Sequence, residues 1–96
     1  MTVSDVLSDD EIQERLGALE GWTIEEGRLH KEFTFSDFNA AFGFMTRVAL
    51  VAEKLNHHPD WCNAWNTVRF DIFDHHSDGI THRCFELASA AEERAP

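Results

Sequence analysis

The chain has 96 residues, 43% of them apolar, enough for one hydrophobic core and too few for two, so residues 1–96 are expected to form a single domain. Eighteen acidic residues against eight basic ones give a formal net charge of −10, a field that repels phosphate backbones and excludes nucleic acid as an expected partner. The start, MTVSDVLSDDE, has neither a basic head nor an apolar stretch, no run reaches membrane-span length, and Cys62 and Cys84 form no CxxC. A cytoplasmic protein with no membrane partner is therefore expected.

In chain order, Ser8-Asp9-Asp10-Glu11 fits a capping box, and Ile12, Leu16 and Leu19 follow at helical spacing until Gly21, which predicts a first helix. Trp22-Thr23-Ile24 and Arg28 to Phe35 flank Glu25-Glu26-Gly27. In the second segment Leu29, Phe33 and Phe35 share one parity, with Lys31 an exception on it. That alternation with a glycine turn predicts a β-hairpin. Ser36 is placed to cap a helix running to about Leu55, with an apolar stripe of Phe38, Ala41, Phe42, Met45, Val48, Ala49 and Ala52. Phe44, Leu50 and Val51 widen the stripe beyond the needs of one sheet face, which suggests a subunit interface.

After Pro59 comes a short extended stretch from Trp61 to Trp65, then Thr67 to Asp74, in which Val68, Phe70 and Ile72 alternate with Arg69 and Asp71. Such alternation belongs to an antiparallel sheet covered on one face by helices. His75-His76-Ser77-Asp78-Gly79 reads as a turn, and Thr81 can cap a last helix through Leu87 and Ala91. The order is α-β-β-α-β-β-α, an α+β domain.

Two histidine doublets carry the chemical interest. Glu53 lies four residues before His57, and on a continuing helix the two would share a face, the carboxylate orienting the ring or raising its proton affinity. Asn56 suits a left-handed helix stop, and Pro59 forces His58 out of helical geometry. If the far end of the last strand lies near the exit of the central helix, His57, His58, His75 and His76 line one pocket, with Trp61 as an aromatic wall. Imidazoles exchange protons near pH 7, so such a pocket could serve a flat heteroaromatic substrate. The rival readings are solvated loop histidines; a metal site drawn from His57, His58, Cys62, His75, His76, His82 and Cys84, which lack HExxH or paired CxxC spacing; and a nucleophilic Cys62, around which nothing suggests a lowered pKa.

The segments FNAAFGFMTRVALVAEKLNHHPDW, then N..N.V, then DHHSDGIT strongly resemble the pterin-4a-carbinolamine dehydratase family, over a stretch from about His30 to Ala90. The resemblance implies a four-stranded antiparallel sheet with helices on one face, assembled into homodimers or homotetramers. It implies dehydration of 4a-hydroxytetrahydropterin (4a-hydroxytetrahydrobiopterin) to the quinonoid dihydropterin, with neither metal nor bound cofactor, in recycling the cofactor of an aromatic amino acid hydroxylase system. The family's active-site histidines fall on His57, His58 and His75, its glutamate on Glu53, and its pocket proline and tryptophan on Pro59 and Trp61. Asp74, His76 and Ser77 fall in its substrate-binding loop.

The reaction needs one group to protonate the leaving hydroxyl and another to take the proton from N5. His57 and His75 are the expected pair, with roles unassigned and His58 mainly holding the pterin. The chain departs from the family pattern at three positions. Asp74 replaces the usual threonine, which is expected to favour protonated His75. Cys84 replaces an acidic residue, leaving Thr81-His82-Arg83-Cys84 without the reciprocal half of a capping box, and Asn56 is a milder change. The alternative expectation is a non-catalytic dimerisation or assembly partner on the same scaffold.

Overall fold

The computed structural model of the protein describes residues 5–96; residues 1–4, part of the segment read as lacking an export signal, lie outside them. The elements are α1 (Asp9–Leu16), β1 (Thr23–Glu25), β2 (Arg28–Thr34), α2 (Phe38–Leu55), β3 (Asp60–Ala64), β4 (Thr67–Ile72) and α3 (His82–Arg94). This is the expected α-β-β-α-β-β-α order of an α+β fold. The strands form one antiparallel sheet in the order β1-β2-β4-β3, so the hairpin β1-β2 and the pair β3-β4 meet along β2 and β4.

The capping box forms: Ser8 Oγ accepts from the Glu11 amide at 3.2 Å, and the Ser8 amide donates to Glu11 Oε1 at 2.9 Å. Helix α1 stops at Leu16, short of the expected Gly21. Gly17 is a poor helix former, and the chain tightens there into turns, Ala18 N–H to Arg15 O and Leu19 N–H to Leu16 O, which deliver Leu19 to the core. Gly21, at φ 88°, then reverses direction ahead of buried Trp22. The hairpin turn has positive φ at both Glu26 and Gly27, the backbone sense that matches the twist of paired strands.

Leu29, Phe33, Val68, Phe70 and Ile72 face inward and pack against Ala41, Phe44, Val48 and Ala52 of α2 and Phe85, Leu87, Ala88 and Ala91 of α3. Phe33 is the hub of the aromatic cluster, with ring centroids 5.0 Å from Phe44, 5.5 Å from Phe70 and 6.0 Å from Trp22. Lys31 departs from the inward apolar parity for a reason the sequence hides. Its Nζ lies 4.6 Å from the Phe33 ring centroid and 2.6 Å from Glu92 Oε2 of α3, so the stem covers the core edge while the charge is paired.

Two expectations for α2 are corrected. Its N-cap is Asp37 rather than Ser36, with the carboxylate accepting from the Ala40 amide at 2.8 Å. Its buried stripe is Ala41, Phe44, Val48 and Ala52; Phe38, Phe42 and Ala49 of the expected stripe lie on the flank and are exposed. Among the described residues, no helix is long and apolar enough to cross a membrane.

Candidate active site

Helix α2 ends in a motif that sends its two histidines in different directions. Asn56 adopts the left-handed conformation at φ 53°, with its N–H on the Glu53 carbonyl, and the His57 N–H reaches back to the Ala52 carbonyl at 3.1 Å. This paired closure satisfies the last carbonyls of a helix. It turns His57 inward, leaving it 6% exposed, while His58 stays at the surface. Helical phase therefore ends before His57. Glu53 pairs instead with His58 (Nε2–Oε1, 2.8 Å), which corrects the expected Glu53–His57 partnership.

The second doublet sits in a loop closed on Asp74. The Asp74 and Gly79 backbones bridge, and the Asp74 carboxylate accepts from the amides of His76 and Ser77, each at 3.1 Å, and from Thr81 Oγ1 at 2.9 Å. Asp78 takes φ 59°, as expected of this turn. The N-terminal segment straps the loop from outside, with Leu7 N–H on the Ile80 carbonyl at 2.8 Å. Val6 lies so close that a Cβ on Gly79 would meet its Cγ1 at 2.7 Å, so Gly79 is needed for this approach.

These two loops enclose a cavity of about 550 Å³. All four imidazoles, His57, His58, His75 and His76, line it together with Asp74 and Ser77. Its wall also includes Asp5, Asn56, Phe73 and Arg83, none of which was singled out as a site residue from sequence. Phe73 ends an alternating strand pattern and Arg83 opens a helix, so neither carried a signal. Glu53 stands behind His58, outside the lining. Pro59 and Trp61 are not in the wall either. Trp61 is on the inner parity of β3, where its ring packs on Phe70 at 5.4 Å, so the aromatic of the cavity is Phe73, edge-on to His75 at 5.2 Å.

The electrostatics differ from one histidine to the next. Burial pulls the proton affinity of His57 below its ordinary value; the Asp74 and Glu86 charges act against this, and those of Arg83 and His58 with it. His57 Nε2 lies 3.5 Å from Cys84 Sγ. The partner of His75 is Asp60, at 2.7 Å from Nε2, and not the neighbouring Asp74. Burial raises Asp60, but the hydrogen bonds and charges of His75 and Arg28 outweigh it and hold the carboxyl below its ordinary value. Burial likewise opposes the hydrogen bonds from Thr81, Ser77 and His76 on Asp74, and the bonds prevail, so Asp74 is a carboxylate. Thr81 is the N-cap of α3 by position, yet its side chain caps nothing because it serves Asp74. No group of three or more His, Cys, Asp or Glu side chains is arranged as a metal site among the described residues.

The family described as "Pterin 4 alpha carbinolamine dehydratase" matches residues 5–94. The chain belongs to that family. A "Putative pterin-4-alpha-carbinolamine dehydratase" of Solibacter usitatus is 46% identical over 89 residues, covering 93% of this chain and 94% of that one. A protein of the same description from Rhizorhabdus wittichii is 47% identical over 91 residues, with the same coverage. Among solved structures, a "transcriptional coactivator/pterin dehydratase" from Brucella melitensis superposes with a TM-score of 0.91 at 41% identity, covering 95% of this chain and 99% of that one.

Proposed function

We propose that the protein dehydrates a 4a-hydroxytetrahydropterin, with His57 as the base and His75 as the acid. The observation that carries this reading is one cavity lined by four imidazoles that stand in unlike surroundings. Dehydration needs unlike groups: a neutral ring takes the N5 proton, the N5–C4a double bond forms, and the C4a hydroxyl leaves as water on receiving a proton from a charged ring. His57, desolvated against α3, favours the neutral form at pH 7. His75 has the Asp60 carboxylate on Nε2, a partner that orients the ring and balances an imidazolium there. His58, steadied by Glu53, is left to hold the pterin, and Phe73 supplies a flat apolar face.

Each imidazole would contribute about 10²–10⁴-fold. The test follows consumption of 4a-hydroxytetrahydropterin against its spontaneous decay near neutral pH. Saturable acceleration is expected, and His57→Ala or His75→Ala should lower turnover at least roughly tenfold with the fold intact. Unchanged turnover in both variants would remove the acid–base pair.

The product would return to an aromatic amino acid hydroxylase system in the cytoplasm, and the working form would be a homo-oligomer. Phe38, Phe42 and Leu50 of α2 are 50%, 55% and 70% exposed, an apolar flank that suits a second copy. The same flank, with the "transcriptional coactivator" in the description of the Brucella melitensis relative, favours the assembly-partner role as a second reading. Sedimentation separates these points: Phe42→Ser should shift an oligomer towards monomer, and a wild-type monomer would discard self-association.

A further inference from the structure

The buried groups behind His57 take no part in the two-histidine step, yet they form a continuous line. His57 Nε2 lies 3.5 Å from Cys84 Sγ, Cys84 Sγ lies 3.9 Å from Thr81 Oγ1, and Thr81 Oγ1 lies 2.9 Å from Asp74 Oδ2. His57, Cys84, Thr81 and Asp74 are all buried, so each polar atom along this line needs a partner. We propose that Cys84, Thr81 and Asp74 are positioning residues that fix the tautomer of His57, holding its proton on Nε2 and leaving Nδ1 as the basic nitrogen of the ring.

An ionised Asp74 has no proton to give and only accepts, so the single Thr81 hydroxyl proton points at Oδ2. Thr81 Oγ1 then faces Cys84 with lone pairs alone, and its contact with sulfur is attractive only if the thiol S–H points towards it. The thiol keeps its proton, since burial pushes Cys84 up from its ordinary value. With S–H committed to Thr81, the sulfur meets His57 through a lone pair, and the imidazole must supply the proton from Nε2. The opposite order, S–H towards Nε2, would set the sulfur and Thr81 lone pairs against each other. The bond order is therefore Nε2–H to sulfur, S–H to hydroxyl, O–H to carboxylate. Sulfur bonds at these distances are weak one by one, but the chain has one consistent direction and starts from a fixed negative charge. The base role of Nδ1 rests on the dehydratase reading; the proton order does not.

The test is a long-range proton–nitrogen NMR correlation of the neutral histidine rings in the ¹⁵N-labelled full chain, with dehydration kinetics run alongside. His57 is expected as the Nε2–H tautomer. Cys84→Ala should release the ring into a mixture of tautomers and lower kcat about tenfold, a loss within the reach of one general base, with KM little changed. Cys84→Ser, whose hydroxyl also accepts and donates, should restore both readouts. A wild-type ring protonated on Nδ1 overturns the proposal even if the enzyme is fully active. So does an undisturbed Nε2–H tautomer in folded Cys84→Ala. If Cys84→Ala does not fold, the wild-type spectrum and Thr81→Val, which removes the hydroxyl link, decide by the same criterion. An Nε2–H ring in a protein that does not accelerate dehydration upholds the proton order and overturns the dehydratase reading instead.

Discussion

The cavity has a buried wall and an open rim, and each holds its histidines differently. On the wall, His57 is held by helix closure, by desolvation and by contact with sulfur. It is joined to the Asp74 carboxylate only through the Cys84 and Thr81 side chains, although the Asp74 charge is felt across the gap. On the rim, His58 and His75 each take a carboxylate directly, from Glu53 and Asp60, at 2.8 and 2.7 Å in water-exposed settings. Adjacent histidines of one doublet are thus given different surroundings by backbone and burial. On the proposed dehydratase reading, the base is the ring kept from direct ion pairing, and the rings at the rim are the ones given a carboxylate. Substitutions on the wall should therefore cost more than substitutions on the rim.

The largest effect is expected at Asp74. Its carboxylate holds two loop amides and the buried Thr81 hydroxyl. Asp74→Ala orphans all three, and hydrogen bonds to a charged group together with the unpaired hydroxyl set a loss of about 2–4 kcal/mol in urea unfolding. A loss below about 0.5 kcal/mol, the range of an ordinary surface substitution, would mean that the loop closes without its carboxylate and would erase the distinction between wall and rim.

Acid should act on the wall in two steps. His57 has a folded-state affinity below its ordinary value of 6.5, so the unfolded chain binds the extra proton first and stability falls as pH drops below about 6.5. Asp74 has a folded-state value below 3.8, so its stabilisation is present above that and is lost as pH falls further. The charged groups felt by His57 are Asp74, Arg83, His58 and Glu86. Urea midpoints measured from pH 7.5 to 5 isolate the first step: wild type should lose stability relative to His57→Gln, which has no titrating ring. Parallel profiles would show that His57 gains its proton as easily folded as unfolded.

The parts of this contrast legible in sequence were those fixed by local chemistry. Capping at Ser8, alternation in Thr67–Asp74 and the Asp78-Gly79 turn depend on neighbours in the chain, and so do the stop at Asn56 and the gathering of the two doublets once β4 is placed. Partnerships across the fold were not legible. Glu53 at four residues before His57 implied a pair only while helical phase continued; one left-handed residue moved the pair to His58. Asp74 next to His75 in sequence suggested a charge acting on that ring, but its carboxylate turns back to Thr81, and His75 finds Asp60 on β3, fifteen positions earlier. Trp61 carried an aromatic signal that strand parity spends on Phe70, while Phe73 and Arg83 reach the cavity through loop and helix geometry that no spacing encodes.

The smallest expected effect tests the rim. Glu53 and His58 are both exposed and lie within 2.8 Å, so solvent screens their attraction and side-chain ordering opposes it. Glu53→Gln should leave unfolding stability within about 0.5 kcal/mol. The amide can still meet Nε2 but carries no negative charge, so the consequence belongs in substrate handling: KM should rise on the order of two- to fivefold, the equivalent of about 0.5–1 kcal/mol, with kcat nearly unchanged. The wild-type advantage should shrink as salt is raised from about 0.01 M, where charges interact over about 30 Å, to about 1 M, where the reach is about 3 Å. A loss above about 2 kcal/mol in stability, well beyond the span of exposed pairs, would show that the rim is as structural as the wall. A fall in kcat with KM unmoved would place Glu53 in the proton transfer itself and return it to the role that its spacing from His57 first suggested.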